Sequence, residues 1–300
     1  MCRATSSWKR TAAVAMGCCA WAAMVQPARA ALDIEGNLEY ELLASDLTNG
    51  ANATYWPNDA VPGQKFISTS PSGVPVQTVA TSNGTYQAVV FDGTDQSFVG
   101  GYAPLDLLMA NSRSIEVWVD NPNTAGQPGA TMVAWGQFPG FGGANESFSD
   151  GGQYTVFQGG SGYDLTWADQ GVNGHTSAPP SNMWHYFVYT YDGTTSDVYV
   201  DGQLAATSVV GALNTTLNPI AIAAQNSSSG PPWGNSVYGQ LDIASVRIES
   251  GALTPSDIAN NYASGVPGQP VPEPASVGLL AFGGAGLLGR RRARRVLTQD

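Results

Sequence analysis

The sequence predicts an all-β fold: a two-sheet antiparallel sandwich, preceded by an N-terminal leader and followed by a short apolar helix. Three observations predict it. Runs of β-branched and aromatic residues, separated by Gly-, Asn- and Asp-rich turns, recur about every 8 to 15 residues between positions 31 and 265. No internal repeat and no long amphipathic helix interrupts them. The run 183–191 is apolar on both period-two faces, with Trp184, Tyr186, Val188 and Thr190 opposite His185, Phe187, Tyr189 and Tyr191. A strand of that kind belongs between two layers.

Taken in order, residues 1–30 read as a signal peptide. Arg3, Lys9 and Arg10 precede an apolar stretch, and Ala28-Arg29-Ala30 fits the small-x-small pattern for cleavage between Ala30 and Ala31. All three cysteines lie in this leader, so the mature chain has neither a disulfide nor a thiolate site. Residues 31–43 alternate in part and suggest a first strand or strand pair. Residues 48–63 read as a loop carrying Trp56. Short strands follow at 76–79, 86–91, 114–119 and 131–135. Residues 137–152 hold five glycines and read as a long loop. Strands at 154–157 and 163–167 come next, then a loop with His175.

The run 183–191 is followed by the turn Asp192-Gly193, a strand at 196–201, the hairpin pair Asp201-Gly202 and a strand at 203–208. Strands at 220–224 and 237–248 complete the sheets. A short helix closes the domain. Thr254 is placed to cap it, Pro255 suits its first turn, Asp257 can complete a capping box, and Leu253 can staple onto Ile258. Residues 266–274 form a Pro/Gly linker ending in Val271-Pro272-Glu273-Pro274. The apolar run 275–289 and five arginines follow, with Val296 to Asp300 beyond them. That run would span roughly 22 Å as a helix, short of a hydrocarbon core near 30 Å.

Several stretches carry resemblances, to two families. Trp184-His185, Thr190-Tyr191-Asp192-Gly193 and Tyr199-Val200-Asp201-Gly202 are similar to the signature of laminin-G-like jelly-roll domains of the concanavalin A-like lectin and glucanase fold. Phe91 to Asp95, Ser114 to Val119 and Leu241 to Ile248 resemble the same family. The resemblance implies a jelly-roll sandwich over 31–265, and it spans sugar binders, adhesive modules and glycosidases alike. The order of V-P-E-P, apolar run and arginines resembles the PEP-CTERM sorting signal of Gram-negative bacteria. It implies transient insertion in the inner membrane, exosortase cleavage near Pro272, Glu273 and Pro274, and delivery to the envelope, surface or extracellular matrix.

Charge narrows the partners. Between 31 and 270 only Lys65, Arg113 and Arg247 are basic, against 21 acidic residues, a balance of −18. Such a surface repels nucleic acid and attracts divalent cations. The family resemblance points to one calcium ion between loops, with Asn58, Asp59 and Asp242 at the similar positions; the plainer reading makes Asp59 a turn former and Asp242 a strand-end acceptor.

Catalytic patterns are scarce. Glycosidases of this fold class set carboxylates at alternating positions of one strand so that both enter one cleft. No such run exists; Glu39 with Glu41, and Glu116 with Asp120, are the nearest approaches. His175 and His185 are the only imidazoles, and no nucleophile elbow or phosphate loop accompanies them. The chain is therefore expected to have no enzymatic activity and to bind carbohydrate or another matrix component. A hydrolase or lyase of the same fold and a ligand-free envelope protein are the alternatives. The binding residues expected are Phe138 and Phe141 in the Gly-rich loop, Trp233 after Pro231-Pro232, and Tyr189 and Tyr191 on the central strand. Trp135 and Trp184 are expected in the core. An exposed aromatic pair in a groove favours a binder; uniformly buried aromatics favour a structural protein.

Overall fold

In a computed structural model of the chain, the described residues are 31–122, 131–136, 145–149, 155–158, 180–209, 211–213, 215–224 and 238–269. In chain order the strands are β1 (Leu38–Leu43), β2 (Asn52–Ala53), β3 (Tyr55–Pro57), β4 (Lys65–Ser68), β5 (Val74–Ala80), β6 (Thr85–Val90), β7 (Phe98–Tyr102) and β8 (Arg113–Asp120). They continue as β9 (Thr131–Gly136), β10 (Asn145–Ser149), β11 (Thr155–Gln158), β12 (Trp184–Tyr191), β13 (Thr195–Val200), β14 (Gln203–Val209), β15 (Pro219–Ile222) and β16 (Asp242–Ser250). One helix, α1 (Pro255–Ser264), follows.

Among the described residues the strands form a two-sheet antiparallel jelly-roll sandwich. The nine-stranded sheet runs β14-β13-β12-β8-β16-β6-β5-β2, with β1 also paired to β16, and the seven-stranded sheet runs β11-β10-β9-β15-β7-β4-β3. The expected meander is present: β12 pairs with β13 and β13 with β14, all antiparallel. Asp201 and Gly202 both take positive φ, 51° and 78°, the conformation a tight two-residue hairpin turn requires.

Period two places the core. On β8, Ile115, Val117 and Val119 enter the inter-sheet core, joined there by Phe187, Tyr189 and Tyr191 of β12 and by Trp56, Phe66, Phe98 and Trp135. The opposite face of the larger sheet is also covered. Trp118, Trp184, Tyr186 and Val188 pack there with Leu253 and Ile258 of the α1 region and with Val266 beyond it. This explains why β12 is apolar on both faces.

The α1 cap is as the sequence indicates. Thr254 accepts from the Asp257 N–H at 3.3 Å, and the Asp257 carboxylate accepts from the Thr254 N–H at 3.0 Å. Removing such a cap costs about 1 kcal/mol.

Four expectations change. Residues 48–63 are not one loop, because β2 and β3 lie within them and Trp56 is fully buried. Residues 137–152 contain β10, which pairs β9 and β11. The first strand begins only at Leu38; the segment before it is tied down by side chains, as when the Asp33 N–H donates to Asn261 Oδ1 at 2.7 Å. The linker starts later than expected. Val266 is buried, and the Gln269 side chain bonds both backbone groups of Gln87, at 2.6 and 2.7 Å. The leader 1–30, the expected strand 163–167, His175, the motif Pro272-Glu273-Pro274 and the apolar run 275–289 lie outside the described residues. Among the described residues no helix is long and apolar enough to cross a membrane.

Candidate functional site

Of the expected binding aromatics, Phe138, Phe141 and Trp233 lie outside the described residues, as do Pro272, Glu273, Pro274 and Ala30; Ala31 opens the described chain and is exposed. Tyr189 and Tyr191 are core residues, not ligand platforms. Both have no solvent exposure, because odd-numbered side chains of β12 point between the sheets. Their hydroxyls are used internally: Tyr189 Oη lies 3.0 Å from Ser196 Oγ, and Tyr191 Oη donates to the Gly211 carbonyl at 2.8 Å. Trp135 and Trp184 are in the core, as expected.

The three residues expected at a calcium ion do not converge. Asn58 spends its amide on the backbone of β1, donating to the Glu39 carbonyl at 3.0 Å and accepting from the Glu41 N–H at 2.9 Å. The Asp59 N–H donates to the Glu41 carbonyl, and Glu41 faces Arg247 across β16. Asp242 lies five residues from Arg247 along that strand, about 16 Å away at the usual strand rise. It sits opposite Asp120 instead. Burial and the Asp120 charge push its carboxyl up to about 7. Among the described residues no three His, Cys, Asp or Glu side chains gather as a metal site.

A different surface has the form of a binding site. On the outer face of the smaller sheet, β3 pairs β4 and β4 pairs β7. Trp56, Phe66 and Phe98 point inward and are buried. Alternation therefore turns Tyr55, Lys65 and Ile67 outward. Tyr55 is 51% exposed, Ile67 48%, and Tyr102 at the end of β7 65%. Two adjoining grooves lie among them. One of about 310 Å³ is bounded by Tyr55, Asp59 and Lys65. The other, of about 500 Å³, is bounded by Tyr40, Ile67, Gly101 and Tyr102. Gly63, Gln64 and Lys65 line both.

Two glycines shape this face. A Cβ on Gly100 would come within 2.5 Å of the Phe66 ring, so the strand lies flat on the core. A Cβ on Gly101 would meet nothing within 4 Å, so the groove floor is open backbone. Lys65 Nζ sits 5.2 Å from the centre of the Tyr55 ring, which orders that edge. Exposed rings flanking a concave surface with an amide, an ammonium and a carboxylate suit a polyhydroxylated ligand. Rings cover its C–H faces while the polar groups take its hydroxyls.

Further carboxylates neighbour two of the lining residues, Asp59 and Tyr40. Burial, then a hydrogen bond and the charge of Asp59, push Asp46 up to about 7. Burial and the neighbouring Asp106 push Glu39 up to about 7. Burial with the charges of Glu39 and Asp106 moves Tyr40 to about 12. Glu39 and Asp106 share a side-chain hydrogen bond. That is far closer than the separation of about 5 Å or more that glycosidase carboxylates need.

The other carboxylate candidate, Glu116, is enclosed. Arg247 Nη1 donates to its Oε1 at 2.6 Å, Asn261 Nδ2 donates to its Oε2 at 3.0 Å, and the Tyr186 hydroxyl also donates to Oε2. Burial raises the Glu116 carboxyl, and Arg247, Tyr186 and Asn261 oppose that. Glu116 has a donor on each oxygen, and its ion pair with Arg247 is formed. Tyr262 of α1 stacks over this region, 5.8 Å from the Trp118 ring and 6.1 Å from that of Tyr186. His185 is likewise engaged: its Nδ1 lies 2.8 Å from Asp201 Oδ2.

Sequence reasoning missed Tyr55, Lys65, Ile67, Gly101 and Tyr102. Their strands are three to five residues long and flanked by Gly and Pro, so they read as loop. The available signal was alternation about Trp56 and Phe66, together with the isolation of Lys65 as a cation.

The comparisons with known proteins follow this architecture. A laminin-G family model described as the concanavalin A-like lectin/glucanases superfamily matches residues 83–259. A model for the PEP-CTERM protein-sorting motif matches residues 270–295. No curated protein matches the chain in sequence. Among solved structures, similarity extends to domain 4 of AbnA, an extracellular GH43 arabinanase from Geobacillus stearothermophilus, in complex with arabinotriose. The match is 14% identical, covers 76% of this chain and 100% of that one, and has a TM-score of 0.49. A Trypanosoma rangeli sialidase is 15% identical, with 76% of this chain and 32% of that chain covered and a TM-score of 0.50. The ligand-binding domain of botulinum neurotoxin serotype D, in complex with N-acetylneuraminic acid, is 14% identical. It has 76% and 51% coverage and a TM-score of 0.48. This chain thus spans about a third of the sialidase's length.

Proposed function

The chain belongs to the concanavalin A-like lectin/glucanases superfamily and carries a PEP-CTERM sorting motif, which indicates export and surface sorting in Gram-negative bacteria; from that premise we propose that it is a non-enzymatic binding protein that recognises carbohydrate through the outer face of β3, β4 and β7. In this reading signal peptidase cleaves between Ala30 and Ala31, residues 31–269 are the binding domain, and the sorting segment inserts transiently in the inner membrane. Exosortase then cleaves near Pro272, Glu273 and Pro274. The observation that carries the reading is the exposed pair Tyr55 and Tyr102 flanking grooves in a domain whose other described large aromatics are mostly buried. The absence of activity is supported by Glu116, which is held by three donors beneath α1, and by the close Glu39–Asp106 contact.

Gly101→Leu tests the proposal. A Cβ at this position meets nothing within 4 Å, so the backbone tolerates the added side chain at the groove floor. On a glycan array, wild type should retain at least one saccharide, and Gly101→Leu should lose it by tenfold or more at unchanged melting temperature. Equal binding by the two proteins would remove the groove from the account, and hydrolysis of the retained saccharide would remove the non-enzymatic reading.

A further inference from the structure

The three cations of the acidic domain have different fates. Arg113 is fully buried, donating to the carbonyls of Met109 and Asn111 and to Thr215 Oγ1, with the Tyr191 ring 4.8 Å away. Arg247 is 3% exposed and paired with Glu116 and Glu41. Lys65 alone reaches solvent, and among the described residues it forms no ion pair. A surface lysine in a domain with 21 acidic residues has many possible partners. This one instead lies over Tyr55, at the junction of both grooves. Its ammonium borders both grooves, with no carboxylate paired to it among the described residues.

We infer that the groove takes an acidic saccharide, one whose carboxylate meets Lys65 while its ring lies against Tyr55 or Tyr102. The inference rests on the carbohydrate reading above and adds the charge of the ligand. The domain's field also limits the ligand. Charges beyond about 8 Å are largely screened at physiological ionic strength, whereas a contact at hydrogen-bond distance is not. A densely charged polymer would bring many carboxylates against the acidic surface, including Asp59 in the adjoining groove. A saccharide with one isolated carboxylate gains the Lys65 contact and little of that repulsion. A uronic acid within an otherwise neutral oligosaccharide has this chemistry.

The test uses the full-length chain, a short oligosaccharide bearing one glucuronic acid, and the same oligosaccharide with that carboxyl reduced to the alcohol. Calorimetric titration should show the acidic form binding about tenfold or more tightly than the reduced form. Lys65→Met, which keeps an apolar stem over Tyr55, should erase that ratio by weakening the acidic form far more than the reduced form. Lys65→Arg should retain the preference. Equal affinities for the two forms, or a ratio that survives Lys65→Met, would overturn the acidic assignment and leave the saccharide reading standing. No binding of either form, together with an empty array, would overturn both.

Discussion

Arg247→Met removes the cation that neutralises Glu116, and its cost follows from the geometry. Glu116 is 3% exposed and Arg247 likewise 3%. After the change, Glu116 keeps Asn261 Nδ2 at 3.0 Å and the Tyr186 hydroxyl, both neutral, and has no charge partner at 2.6 Å. Losing one member of a buried pair costs about 3–5 kcal/mol, because the survivor is stranded in low dielectric. That is a large share of the roughly 5–15 kcal/mol that holds a domain folded. Replacing both members, as Glu116→Gln with Arg247→Met, strands no charge and should return to within about 1–2 kcal/mol of wild type. Urea denaturation at pH 7 of all four members of the cycle measures this. The single-variant penalty should shrink near pH 4, where an unopposed Glu116 takes up a proton. If Arg247→Met costs less than about 1 kcal/mol, or the double variant is no better than the single, the cluster is hydrated. Glu116 would then be open to solvent beneath α1.

Three further outcomes follow from the same packing. Glu39, Asp46 and Asp242 are pushed up to about 7 and Glu249 to about 8, chiefly by burial, so the folded state holds protons that the unfolded chain has released. Their contribution is complete below the unfolded values and lost as pH rises through 7 to 8; melting temperature should be higher at pH 5 than at pH 8, and the reverse order would contradict the burial of these groups. Asp242→Asn relieves the buried repulsion from Asp120 and should stabilise by about 1–2 kcal/mol at pH 8 and hardly at pH 5. A calcium-dependent loss in that variant would instead reveal a bridging ion. A chain ending at Gln269 should melt like one ending at Pro274, whereas a chain ending at Ser264 loses the buried Val266 and the Gln269–Gln87 bonds, worth about 2–3 kcal/mol; equal melting of all three would contradict the packing of 266–269.

The sequence and the structure part company at identifiable places. Long strands with a strong period were legible, as in β8 and β12, because every second residue is large and apolar. The hairpins at Asp192-Gly193 and Asp201-Gly202 and the cap at Thr254 were legible because local chemistry decides them. The strands that carry the grooves were not. β3, β4 and β7 owe their place to neighbours far along the chain, and a run as short as Tyr55-Trp56-Pro57 has no period of its own. The faces of β12 were read correctly, yet Tyr189 and Tyr191 were offered as ligand contacts although the same alternation sends them inward. The expected calcium residues show the opposite limit, since distance along β16 separates Asp242 from Asn58 and Asp59 and no local motif reports that.

The location of binding is the central claim, and amide chemical-shift mapping tests it most directly. Titrating labelled protein with a saccharide retained on the array should perturb amides at 55, 63 to 67 and 99 to 102, and leave those around Trp118 and Tyr262 in place. Perturbations centred on Trp118, Tyr186 and α1, with β3, β4 and β7 silent, would contradict it.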